Sequence, residues 1–136
     1  MKFREFITSS GKKVLAGKDA EQNETLMKKF IKKENIILHT AAPGSPFCVI
    51  IEKPSNKDIK ETAIFCASKS QDWRDNKKDV KVHLFSGKDI YKKKGMKTGT
   101  WGVKGKIKII NVKKKDIKNF EKNAQTKPNS TRKTRN

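Results

Sequence analysis

The chain has 136 residues, and its 34 Lys+Arg against 14 Asp+Glu leave a formal net charge of +20 at pH 7. That surplus argues against a neutral, bland surface and points to a polyanionic partner, because counterion release rewards contact between ammonium groups and a phosphate backbone. The length suits one domain, and an apolar content of only 33% implies that part of the chain is poorly ordered.

Phe3 to Thr8 reads as a strand, Ser9 to Lys12 as a turn and Lys13 to Ala16 as the returning strand of a hairpin. Asp19 is placed as an N-cap with Gln22 in the capping-box position, so a helix is expected from Ala20. Its apolar stripe is Leu26, Met27, Phe30 and Ile31, and Asn23 lies on the same face. A buried amide there needs hydrogen bonds, or it faces a cavity.

Ile36 to Thr40 reads as a strand, residues 41–46 as a turn with two prolines, and Phe47 to Glu52 as a central strand with an almost continuous apolar run. A second helix is expected from about Lys57 to Arg74, its inner face carrying Ile59, Ala63, Cys66, Ser70 and Trp73. Val80, Val82 and Leu84 alternate with Lys81, His83 and Phe85, the pattern of a half-buried strand. Ile90 to Lys93 reads as a short strand and Gly95 to Gly99 as a basic loop. Trp101, Val103, Ile107 and Ile109 then alternate with polar residues, as in one long strand with a single greasy face.

These elements predict an α+β fold, a mostly antiparallel sheet of about six strands with two helices packed on one face. The domain is expected to span residues 1–112. Residues 113–136, with nine Lys+Arg, two acids and a net charge of +7, read as a basic, mostly disordered tail. That leaves +13 on the folded part, which is therefore basic in its own right.

Cys48 and Cys66 sit inside apolar runs, as buried free thiols in a reducing compartment do. With only His39 and His83 beside them, no CxxC pair or zinc spacing can be written, and no metal or cofactor is expected. The run from Phe47 to Ile51 is too short to span a membrane, and no signal-peptide core opens the chain. A soluble cytoplasmic protein without a membrane partner is the expectation; oligomeric state is not legible.

Two groups of residues are candidate contacts. Lys104, Lys106 and Lys108 would recur on one face of a strand at roughly 6.6 Å, a row along which phosphates can lie, although most such rows are solvated outer faces. Tyr91, Lys92, Lys93, Lys94 and Lys97 add cations and an aromatic ring suited to stacking on an unpaired base. The second group is Lys18 and Asn23 with His39 and Ser45. Lys18 beside a helix start suits an anion, although Asp19 as cap competes for that place. Asn23, His39 and Ser45 are expected to shape a pocket for one nucleotide or chain end. His39, Asp19 and Ser45 can also be written as a hydrolytic set, but no nucleophile-elbow spacing supports them, and a hydrogen-bonded structural histidine is the plainer role.

The segments Gly17-Lys18-Asp19-Ala20, Gln22-Asn23-Glu24, His39 with Pro43-Gly44-Ser45, Val49-Ile50, Ala67-Ser68-Lys69 and Trp73 form an ordered series. It continues through Gly95-Met96-Lys97-Thr98-Gly99-Thr100-Trp101 and Gly105-Lys106. The series resembles the NFACT-R domain, the RNA-binding domain of NFACT proteins, over roughly residues 3–112. The resemblance implies a non-enzymatic RNA-binding role close to translation, with tRNA or rRNA as partner and the large ribosomal subunit among the candidates. Multi-domain NFACT proteins act in ribosome-associated quality control, and some direct C-terminal tailing of stalled chains. Their other domains do not fit in this length, so the chain is similar to the stand-alone form and the tailing activity is not implied. Stand-alone relatives have been linked to RNA modification and one eukaryotic relative to DNA sensing. An RNA-processing or RNA-modifying enzyme around His39, a general nucleic-acid binder and an architectural protein acting through bulk charge therefore stay open.

Overall fold

The computed structural model describes residues 1–126. The chain forms β1 (Arg4–Ile7), β2 (Lys13–Ala16), α1 (Ala20–Phe30), β3 (Ile36–Thr40), β4 (Cys48–Ile50), α2 (Asn56–Ser68) and α3 (Gln71–Asn76). It continues with β5 (Val80–Ser86), β6 (Ile90–Tyr91), β7 (Gly102–Val103), β8 (Lys108–Val112) and α4 (Lys114–Thr126). Six strands pair in the order β1-β2-β4-β3-β5-β8, antiparallel at every step, and β6 and β7 form a separate two-stranded ribbon. The fold is α+β with a six-stranded antiparallel sheet, as the strand pattern predicts.

The sheet is covered on both faces, not on one. Side chains alternate across a strand, so Leu38 and Cys48 face one side while Ile37 and Val49 face the other. Leu38, Cys48, Val82 and Val112 pack with Ala63, Cys66 and Ala67 of α2, Trp73 of α3 and Ile117 of α4. On the opposite face Ile37, Val49 and Phe85 pack with Leu26 and Met27 of α1. Sequence spacing shows that each helix has an apolar stripe, but not which side of the sheet receives it.

The expected helix from Lys57 to Arg74 is two helices. Ser70 is fully buried; its hydroxyl donates to Ala67 O (2.7 Å) and accepts from Trp73 N–H (3.1 Å), which ends one helix and caps the next. The break lets Gln71 N–H donate to Gly44 O at 2.7 Å, so α3 props the turn between β3 and β4. Gly44 has φ +89°, and a Cβ there would lie 2.8 Å from Gln71 Cβ, so this close approach needs glycine.

The expected long strand over residues 101–109 is also divided. Trp101 and Val103 pack with the α1-side cluster, β7 pairs with β6, and the chain turns at Gly105 (φ +81°) before β8 joins β5. In β8 Ile110 and Val112 face α2, while Ile109 lies on the α1-side face, as Trp101 and Val103 do, but is not packed in that cluster and is 61% exposed. Lys104 and Lys106 precede β8 and Lys108 opens it, so the three lysines do not form a row on one strand.

Part of the expected tail is ordered as well. Residues 114–126 form α4, which lies along α2 with Ile117 fully buried. The Phe120 ring sits 5.8 Å from Phe6 and 6.2 Å from Phe65, both edge-on. Two apolar residues three apart are too few to signal a helix alone, but here they meet a ready aromatic surface. The remainder of the expected tail, residues 127–136, lies outside the described residues.

Candidate nucleic-acid interface

On the α1 side of the sheet lies a cleft of about 350 Å³. His39 of β3 and His83 of β5 are register partners on its floor, beside Phe47 and Phe85. The turn Pro43-Gly44-Ser45 makes one wall and Gly99-Thr100-Trp101 the other.

Backbone hydrogen bonds fix the first wall. Ser45 Oγ accepts from Thr40 N–H at 3.0 Å, closing the turn. Asn23 Oδ1 accepts from Phe47 N–H (3.1 Å) and its amide donates to Ser45 O (3.4 Å), so α1 clamps the segment entering β4. A Cβ at Gly17 would lie 2.1 Å from Asn23 Oδ1, which explains the glycine seated under that amide.

His39 is held as firmly. Its ring stacks on Phe47 at 4.3 Å, and Nδ1 lies 2.8 Å from Thr40 O. A carbonyl oxygen only accepts, so Nδ1 carries the proton. Burial, aided by the neighbouring His83, lowers the His39 pKa to about 4 against the pull of the Thr40 and Ser45 carbonyls. At neutral pH the ring is an uncharged wall.

The hydrolytic set is not supported by these bonds. Asp19 accepts from Gln22 N–H (2.9 Å) as the α1 cap, and the Ser45 hydroxyl holds the turn. Lys18 is exposed beside that cap, its N–H donating to Gln22 Oε1 at 3.0 Å.

The second wall hangs on one carboxylate. Glu24 Oε1 accepts from Lys92 Nζ (2.8 Å), Gly99 N–H (2.8 Å) and Trp101 Nε1 (3.2 Å). Lys92 Nζ also donates to Lys97 O (2.6 Å) and Thr100 O (2.8 Å), and lies 5.3 Å from the Trp101 ring. With its three donors engaged inside the loop, Lys92 anchors the second wall. Burial opposes ionisation of Glu24, but the hydrogen bonds from Lys92, Gly99 and Trp101 outweigh it and lower the pKa.

Composition hides Glu24, one of few acids in a basic chain. A half-buried indole N–H at Trp101 was the available signal, since such groups need an acceptor.

Tyr91 is half-buried, with Gly102 tucked against its ring and Lys93 Nζ 5.6 Å from the ring centroid. Lys93, Lys94, Lys97, Lys104, Lys106 and Lys108 are all exposed. Beyond the cleft, the β5–β8 part of the same sheet face stays open. Ile109 lies directly opposite His83, and Lys81 opposite Asn111. This strip was illegible, because alternation gives the face of Ile109 and not whether a helix covers it.

The cleft thus opens toward the β5–β8 strip, beside a lysine-bearing loop. The family model described as the NFACT protein RNA binding domain matches residues 2–105, and the chain belongs to that family. It is 39% identical over 64 residues to the archaeal Rqc2 homolog aRqcH of Methanocaldococcus jannaschii, covering 45% of this chain and 10% of that protein. It is 36% identical over 58 residues to the ribosome quality control complex subunit NEMF homolog of Drosophila melanogaster, covering 43% of this chain and 6% of that one. The chain therefore spans a small fraction of these relatives. The solved C-terminal part of the fibronectin/fibrinogen-binding protein from Streptococcus suis superposes with a TM-score of 0.74 at 25% identity, over 88% of this chain and 49% of that one. Among the described residues no helix is long and apolar enough to cross a membrane.

Proposed function

We propose that this domain binds RNA, without catalysing a reaction, across the cleft and the open β5–β8 strip. The observation that carries the reading is the exposed Ile109 beside His83, within a basic domain of the NFACT RNA-binding family. Lys93, Lys94, Lys97, Lys104, Lys106 and Lys108 contact phosphates, while Trp101, His83 and Ile109 meet an unpaired base. Asn23, Ser45, His39 and Lys92 act by holding the walls.

The names of the archaeal and fly relatives support a place in ribosome quality control; tRNA or rRNA as the bound RNA and the cytoplasm as the site of action are part of the same proposal.

Ile109→Glu tests the reading. The side chain is 61% exposed, so thermal stability is expected to stay unchanged. RNA affinity is expected to fall about tenfold, roughly 1.4 kcal/mol, because a carboxylate then faces the RNA. Fluorescence anisotropy with tRNA, an rRNA fragment and duplex DNA measures this. Unchanged RNA affinity removes the strip from the interface, and equal affinity for DNA makes the protein a general polyanion binder.

A further inference from the structure

Resting on the RNA-binding reading, we propose that the outward face of α4 is a second RNA-backbone contact surface, on the side of the sheet opposite the cleft. The family match ends at residue 105, so α4 lies beyond it.

Charge is sorted by sign along this helix. Lys114, Lys115, Lys118 and Lys122 are exposed, whereas Asp116 and Glu121 are half-buried. Asp116 lines a hollow shared with Phe6 and Glu61, so its charge is turned toward the body of the domain. Lys113, Lys114, Lys115 and Lys118 instead surround a shallow hollow of about 550 Å³, with Asp79 the one acid on its rim among the described residues. Asp79 is already used: its carboxylate accepts from Lys114 N–H at 2.8 Å and pairs with Lys113 at 3.7 Å. Lys114, Lys118 and Lys122 recur every four residues, about 6 Å apart along the axis, and like charges at that spacing repel. A polyanion relieves the repulsion.

The platform is rigid, because Ile117 is fully buried and Phe120 packs on Phe6 and Phe65. Those burials also leave no bulky apolar side chain on the outward face to insert into a lipid bilayer, which favours RNA over a membrane. With contacts on both sides of the sheet, a folded RNA is gripped at two points, and affinity rises through effective concentration.

The test uses the full chain with Lys114, Lys115, Lys118 and Lys122 all changed to Gln. Gln is a good helix former, and far-UV circular dichroism checks that α4 persists. Binding to unfractionated tRNA is measured across salt concentrations. The slope of log K against log salt is expected to shrink by about 3.6, roughly 0.9 for each of the four lost duplex-phosphate contacts. An unchanged slope with helix content intact overturns the α4 surface and leaves the cleft reading standing. Failure of the unmodified chain to bind tRNA in dilute buffer takes down both. Loss of binding to phosphatidylserine vesicles with the tRNA slope unchanged overturns the proposal in favour of a membrane.

Discussion

Replacing Glu24 by Ala is expected to detach the loop that forms the second wall of the cleft. The carboxylate holds Lys92, Gly99 and Trp101 at 2.8, 2.8 and 3.2 Å, and its side chain is only 14% exposed. Its removal strands the Lys92 ammonium among carbonyls and leaves the indole and Gly99 N–H groups without their acceptor. Hydrogen bonds to charged groups contribute about 1.5–3 kcal/mol each, and solvent reaches both partners here, so a total loss near 3 kcal/mol is expected. Urea denaturation measures it. Trp101 emission should shift to the red and RNA affinity should fall along with it. Retained stability and an unshifted spectrum would show that the loop stands without its anchor.

Acid is expected to weaken the fold in a window set by His39. The folded-state pKa is about 4, below the ordinary 6.5, so the unfolded chain takes up the proton first. Stability is therefore complete above about pH 6.5, declines as the pH drops toward 4, and loses up to ~3 kcal/mol to this group. Glu24, with its pKa also lowered, adds a further loss in stronger acid, because its contribution exists only while it is ionised. His39→Gln retains a donor for Thr40 O and does not titrate, so the decline between pH 6.5 and 4 should flatten in that variant. Thermal melts across this range decide the matter: a wild-type curve with no slope there contradicts a buried, neutral His39.

Legibility followed how local each cause was. The hairpin and α1 were readable because Asp19 and the apolar stripe of α1 act within a few residues, and the Asp19 cap is present as expected. The role of Gln22 differs in detail, since its side chain accepts from Lys18 N–H and not from the cap residue. Asn23 had to be satisfied or face a cavity, and it bonds the wall of one.

What escaped the sequence was set by distant contacts. The Ser70 hydroxyl that ends α2 and caps α3 is buried in the core, and the break it makes is what docks Gln71 against Gly44. Periodicity read straight through the turn at Gly105 keeps Ile109 on the face of Trp101 and Val103, but alternation does not show that the α1-side cluster stops short of it and leaves it exposed. Lys92 looked like its neighbours, and only the tertiary position of Glu24 shows it anchoring the loop. α4 needed Phe6 and Phe65, both far away in sequence, to become a helix with a buried side.

Ultraviolet crosslinking of the full chain to tRNA or rRNA, with the adducts mapped by mass spectrometry, tests most directly whether RNA occupies the cleft and its open strip. Adducts are expected at Trp101, His83 and the peptide carrying Lys93 to Lys97. Adducts found only on surfaces remote from these residues, or none from either RNA in dilute buffer, would contradict it.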